Sequence, residues 1–324
     1  MKNKLLFPII FAFIFSACSD FSGNEDEVEA SLAPSKETKT TTTTTTTRKY
    51  YDLNGITFGN NTFVAVGEKG TVRYSSDNGA SWDNGTSETT KELYEIAYGD
   101  STFVTVGYKG TNHYSSDNGN TWSAGTWSES LELAGIAYGN NTFAAVGAKF
   151  IKSTDNGLNW SSKLTSDLTD VAFGNSIFDV FVSCGDGGTI FVSTDNGSNW
   201  FSRTKAVSYD LKHVVFGSNQ FFVVGNGGSI IKSTDNGSEG SWTIVTSPIT
   251  KNLNSISYGN SKFIAVGAKT VIVSTDNGSS AFEELAVKYT FNDITFGNGV
   301  FVAVGDKEII YTSTDGDKWT EVYP

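Results

Sequence analysis

The stretch STDNGSNW, residues 193–200, recurs along the chain in near copies. They are SSDNGASW from Ser75, SSDNGNTW from Ser115, STDNGLNW from Ser153, STDNGSEGSW from Ser233, STDNGSSAF from Ser274 and STDGDKW from Ser313. Measured between the aspartates (Asp77, Asp117, Asp155, Asp195, Asp235, Asp276, Asp315), the steps are 40, 38, 40, 40, 41 and 39 residues. Spacing that even marks a repeat architecture and sets the frame for every local motif.

The template around each copy is clearest at LNGITFGNNTFVAVGEKGTVRYSSDNGASW, residues 53–82. Leu53 recurs as Leu93, Leu133, Leu168, Leu211, Leu253 and Phe291; three residues on stand Ile56, Ile96, Ile136, Val171, Val214, Ile256 and Ile294. An aromatic-Gly pair follows each time, then FVAVG or a variant, a short loop, a β-branched run, the Asp turn and an aromatic. These are four short segments divided by Gly and Asn, hence four strands per repeat. Seven such units make an all-β, seven-bladed propeller of four-stranded antiparallel blades spanning residues 50–324. Between the Ile and the aromatic stand only Thr57, Ala97, Ala137, Ala172, Val215, Ser257 and Thr295, which suits a strand near a crowded axis. Asn-Gly between β segments favours a hairpin, and the Asp carboxylate can take backbone N–H groups inside it.

At this point the chain resembles the Asp-box (bacterial neuraminidase) repeat, S-x-D-x-G-x-x-W. The GN-x-x-FVAVG…S-x-DNG context is similar to the photosystem II assembly-factor branch of such propellers. The resemblance covers about residues 53–323 and departs at Ser274, whose copy ends late in Phe282, and at Ser313, whose copy is one residue short. It implies that the Asp turns join third and fourth strands on the face opposite the binding site. Asp77, Asp117, Asp155, Asp195, Asp235, Asp276 and Asp315 are then structural. One carboxylate per turn is also a poor cage for calcium, which takes six to eight oxygens. No metal or cofactor is expected.

The chain opens MKNKLLFPIIFAFIFSACSD, a basic start followed by an eleven-residue apolar run from Leu5 to Phe15. That is short for a membrane span and fits a secretory signal over residues 1–17. Ser16-Ala17 before Cys18 resembles a bacterial lipobox, which implies acylation of Cys18 and lipid anchoring in the bacterial cell envelope, at the outer membrane, with exposure on its surface if the acidic tract that follows is an export signal. The alternative is a plain signal peptide with an incidental cysteine. Residues 18–49 read as a tether: Asp20, Glu25, Asp26, Glu27 and Glu29, then eight consecutive threonines from Thr40 to Thr47, offer no apolar face to bury. The acidic tract resembles the surface-export signal of Bacteroidetes lipoproteins or is simply a solvated spacer.

From residue 49 onward 18 Lys+Arg face 29 Asp+Glu, a net of −11, which argues against nucleic acid. Cys184 takes a place held by valine in the other six repeats and reads as a buried hydrophobe in a body expected to be monomeric. Two rings are expected on the face opposite the Asp turns. Lys69, Lys109, Lys149, Lys269 and Lys307 share one template position, with Gly187 and Gly227 in the other two; they serve an anionic ligand or are turn lysines copied by duplication. Gly55, Glu95, Gly135, Asp170, His213, Ser255 and Asp293 are the least regular positions of the template and are expected near the upper end of the channel. Trp127 is the one Trp outside the Asp turns, and with Tyr94 and Tyr209 it could stack on a sugar or anchor a protein.

Two functional classes compete. The first is a surface-tethered binding module for a glycan, peptide or protein. The second is a glycoside hydrolase using two of Glu95, Asp170 and Asp293, which must then lie about 5–10 Å apart. A sialidase is disfavoured, because a carboxylate substrate wants clustered guanidinium groups and the repeats hold only Arg73 and Arg203.

Overall fold

The computed structural model describes residues 49–165, 167–175, 178–274, 276–278 and 282–322. Cys18, the signal peptide and all of the tether except Lys49 lie outside these residues. Among the described residues are seven four-stranded antiparallel sheets, each built from four strands consecutive in the chain. The blades run Leu53–Asn84, Leu93–Ala124, Leu133–Thr165, Leu168–Ser202, Leu211–Ile244, Leu253–Ala286 and Phe291–Val322. No described helix is long and apolar enough to cross a membrane.

In blade 1 the register Ile56↔Ala65, Phe58↔Phe63, Gly59↔Thr62 closes a two-residue hairpin at Asn60-Asn61. Both asparagines have positive φ, 45° and 56°, as a primed turn requires. The second strand, Thr62–Gly67, is buried at every residue. It packs on a neighbouring sheet through both faces, which is why FVAVG is continuously apolar rather than alternating. Each core cluster accordingly joins two successive blades: Val64, Val66 and Val72 meet Leu93, Ile96 and Phe103 of blade 2. The aromatic-Gly pair is the joint. A Cβ at Gly59 would overlap the Tyr98 ring, one at Gly99 the Tyr138 ring, and one at Gly297 the Phe58 ring. Each glycine is a seat for the next blade's aromatic.

Among the described residues no sheet mixes strands from the two ends, so the ring closes through side-chain contacts across the seam and not by strand exchange. Leu53, Ile56, Phe63 and Ala65 of blade 1 share a core with Val302, Val304 and Ile310 of blade 7. The seam adds Asn292 Nδ2 donating to Leu53 O at 3.0 Å and Asn298 Nδ2 donating to Asn78 Oδ1 at 2.7 Å. A buried ion pair, Arg73–Glu308 at 2.7 Å, also crosses it.

The Asp turns join third and fourth strands. In the copy at Ser75, Asp77 Oδ1 accepts from Ser81 N–H (2.9 Å) and the Ser75 hydroxyl (2.8 Å), while Ser75 Oγ accepts from Gly79 N–H (2.9 Å). Trp82 Nε1 folds back to donate to Gly79 O at 3.2 Å. The Asn after the Asp then reaches the first turn of the preceding blade, as Asn156 Nδ2 does to Asp100 at 3.0 Å. Hydrogen bonds from Ser81, outweighing some desolvation, hold the Asp77 carboxyl below its usual range. Partial burial pushes Asp195 up, but donation from the Asn199 N–H, the Asn199 amide and the Ser193 hydroxyl outweighs it and the carboxyl again lies low. Cys184 is fully buried in the blade 4–5 core, and burial pushes its thiol up.

Candidate functional site at the axial mouth

The innermost strand of every blade is a sheet edge, so its outward N–H and C=O groups must find partners across the axis. Side chains at the second and third positions of these strands supply them. Second positions take the next blade's first carbonyl: Asn54 Nδ2 to Leu93 O (2.9 Å), Thr169 Oγ1 to Leu211 O (2.8 Å), Asn254 Nδ2 to Phe291 O (2.8 Å) and, across the seam, Asn292 to Leu53 O. Third positions take the next blade's N–H. Asp293 Oδ2 accepts from Ile56 (2.7 Å), Asp170 Oδ2 from Val214 (2.8 Å) and His213 Nδ1 from Ile256 (3.4 Å). Every blade is bulged immediately before this position, as between Leu168 and Asp170, which turns the third side chain toward the axis.

The irregular ring of the sequence is thus a belt. Glu95, His213 and Asp293 each bring one atom within 4.8 Å of the others. His213 Nε2 stands 3.5 Å from Asp170 Oδ2 and 3.8 Å from Asp293 Oδ1. The ring's two glycines make room: a Cβ at Gly55 would come within 2.9 Å of Glu95 Oε1, and one at Gly135 within 2.7 Å of Asp170 Oδ1. Below the belt lies a cavity of ≈ 290 Å³, walled by the small row from Thr57 to Thr295 as well as by the belt itself. At the belt's upper side a mouth of ≈ 170 Å³ is lined by Asn54, Lys212, Asn254 and Asn292 together with the belt.

Burial dominates the electrostatics. It pushes Asp170 up to about 6 against the opposing pull of His213 and the Val214 N–H. It raises Asp293 despite His213, Ser255 and two backbone donors. Glu95 is raised well above the carboxylate range, by burial first and then by the charges of Asp293 and Asp170. Three carboxylates this close cannot all ionise at low cost.

The donor pattern is not that of a metal centre. A metal-binding imidazole turns a bare nitrogen to the ion and gives its other N–H to an acceptor. Here Nδ1 receives the Ile256 N–H, which places the ring proton on Nε2, toward the carboxylates. Asp170 and Asp293 are buried and spend oxygens on backbone N–H groups, so they are poorly presented as a hydrolytic pair.

Of the lysine ring, Lys69, Lys109, Lys269 and Lys307 have φ of 55°, 52°, 54° and 59°, and Gly187 and Gly227 at the same position have 61° and 65°. The position demands a left-handed backbone, which explains why glycine alternates with lysine there. Lys149 instead begins a strand and pairs with Glu129 at 2.5 Å. Lys69 borders a cavity of ≈ 290 Å³ with Glu68, Lys91, Glu92, Tyr94 and Tyr108. Trp127 is half-buried, packs over Gly110 and against the blade 2–3 core, and its indole N–H is sealed from solvent without a partner. Tyr94 is pushed up to about 12, by burial and then by Glu132 and Glu92. Tyr209 is 58% exposed beside Gly227. His113 lies outside the belt, in the third strand of blade 2, and burial lowers its pKa.

Sequence reasoning missed the second-position staples and the Arg73–Glu308 pair. Asn at one position in blades 1, 6 and 7 was a usable signal for the staples. Nothing local in the sequence links Arg73 to a residue 235 positions away.

Fold and belt together define a seven-bladed β-propeller whose axis is stitched by polar side chains. The sequence matches no family model and no curated protein. Among solved structures it is similar to YCF48 from Cyanidioschyzon merolae, with 15% identity, a TM-score of 0.66 and coverage of 82% of this chain and 96% of that one. It is also similar to YCF48 bound to D1 peptide, with 17% identity, a TM-score of 0.66 and coverage of 85% and 93%. At these identities the likeness is one of fold.

Proposed function

We propose that the propeller is an interaction module that binds a protein or peptide partner on its upper face, the face that carries the axial mouth and the lysine-bearing loops. One observation carries this reading. Departures from the repeat converge on that face, in Glu95, Asp170, Lys212, His213 and Asp293 at the mouth, whereas most Asp turns below keep nearly one sequence and bond within themselves and to the first hairpin of the preceding blade. Exposed Tyr108 and Tyr209 add the apolar anchors that protein interfaces favour. A similar propeller solved with a bound peptide supports the class of ligand. The same reading tethers the module through acylated Cys18 to the outer membrane, surface-exposed.

Peptide and glycan arrays probed with this chain, followed by a salt titration of the strongest binder, test it. An acidic peptide read by Lys69, Lys109, Lys149, Lys269 and Lys307 loses affinity as salt rises, and loses several-fold when all five become alanine, although one exposed pair contributes only about 0–1 kcal/mol. A neutral glycan bound independently of salt and lost with Trp127→Ala would replace this reading with a lectin. For the tether, Cys18→Ser is expected to move the protein from the membrane to the soluble fraction, and unchanged membrane association would refute acylation.

A further inference from the structure

We propose that the axial belt is a pH-responsive latch: carrying shared protons it lets blades 2, 4, 5 and 7 close on the axis, and losing them loosens the ring there. The geometry has three parts. Four titratable groups from four blades converge on one channel, with Glu95, His213 and Asp293 inside 4.8 Å of one another and Asp170 at 3.5 Å from His213. Three of the four also carry a bond to the next blade, through the N–H groups of Ile56, Val214 and Ile256, so any charge repulsion acts directly on the inter-blade contacts. The described ion pairs of Asp170 and Asp293 are with His213 alone. With Nδ1 accepting the Ile256 N–H, the ring offers these three carboxyl groups only its Nε2–H.

The groups facing the belt from each packed element are few. The innermost strands of blades 1, 3 and 6 contribute Gly55, Gly135 and Ser255, none of them ionisable at these pH values; Ser255 donates to Asp293 Oδ1 at 2.5 Å. Lys212 lines the mouth above, Tyr98 and Tyr138 line the channel below, and Cys184 stands opposite Asp170 on the second strand of blade 4. Of these, only Lys212 is cationic.

The sign follows from linkage. Carboxyls whose folded pKa is raised stabilise the fold fully below their unfolded value near 4, and that contribution is lost as pH rises through the folded value, about 6 for Asp170. Burial raises Glu95 and Asp293 in the same direction. Asp77, Asp117, Asp155, Asp195 and Asp315 have lowered values and titrate below this window.

The test is the melting temperature of the full-length chain from pH 4.5 to 8.5, for wild type, Glu95→Gln and Asp170→Asn. Glu95→Gln can keep the Ile96 N–H bond (2.9 Å) while removing one ionisable group. The expected result is a wild-type Tm that falls from pH 5 to 8, with Glu95→Gln equal to wild type at pH 4.5 and higher by about 5 °C at pH 8. Parallel profiles for wild type and both variants would overturn the proposal. Should both variants fail to fold, carboxyl ¹³C titration of the wild type decides. At least one belt carboxyl titrating above pH 5.5 supports the latch, and all of them titrating below pH 5 refutes it.

Discussion

Among the described contacts at the seam, Arg73–Glu308 is a buried ion pair, and removing Arg73 tests how far closure of the ring depends on it. The Glu308 side chain is 0% exposed and Arg73 12%, with 2.7 Å between Nη2 and Oε2. Glu308 also accepts the Tyr51 N–H at 3.4 Å and holds φ of 58°, a left-handed backbone that blades 1, 2, 4 and 5 give to Gly70, Gly110, Gly188 and Gly228. Arg73→Met removes the described guanidinium partner of a buried carboxylate, at a cost of about 3–5 kcal/mol. For a domain of this size that lowers Tm by roughly 6–20 °C. Glu308→Gly strands the Arg, but Arg73 borders solvent and the backbone strain disappears, so the loss is smaller. The double variant Arg73→Met/Glu308→Gly removes both charges and is expected to recover most of the stability, as replaced ion pairs often do. Urea denaturation of the three variants is the assay. If Arg73→Met costs under about 1 kcal/mol, or the double variant loses the sum of the single losses, the seam does not rest on this pair.

Three further outcomes follow from the same structure. Asp195→Ala strips the acceptor from Asn199 N–H and the Asn199 amide and is expected to cost about 1 kcal/mol in this solvated turn while leaving ligand binding intact; unchanged melting with lost binding would reverse the assignment. Since the Asp77, Asp117, Asp155 and Asp195 carboxyls are held low, they stabilise the fold above their unfolded pKa, and that contribution is lost as pH falls below the usual carboxylate range and through their lowered folded values. A Tm flat from pH 5 to 2.5 would contradict it. Gly59→Ala drives a methyl into the Tyr98 ring and is expected to destabilise by about 1–3 kcal/mol by urea titration, and a neutral result would mean the aromatic seat is loose.

Much of the architecture was legible because the repeat reports it seven times over. The small row from Thr57 to Thr295 pointed to the axis, and those residues do line the channel. The Asp turns read as hairpins closed by their own side chains, and their bonds are local enough to be visible in an eight-residue window. The irregular third position was recognisable as a ring facing the channel because a break in a repeat stands out against its neighbours. What those side chains do there was not legible. Sequence suggested a catalytic pair or a ligand surface, whereas Asp170 and Asp293 spend oxygens on the next blade's backbone.

Sequence alone determined the blade count and the four strands of each blade, because hydrophobic period, turn chemistry and spacing act over a few residues and are copied in every unit; the face of the Asp turns came from the Asp-box resemblance. Tertiary structure decided what happens between units. Only there does Gly59 become a seat for Tyr98, Asn54 a staple to Leu93, and Glu308 a partner for Arg73. The same holds for the belt, where Glu95, Asp170, His213 and Asp293 come from four blades. Their charge states depend on burial and mutual distance, quantities that exist only once the ring has closed.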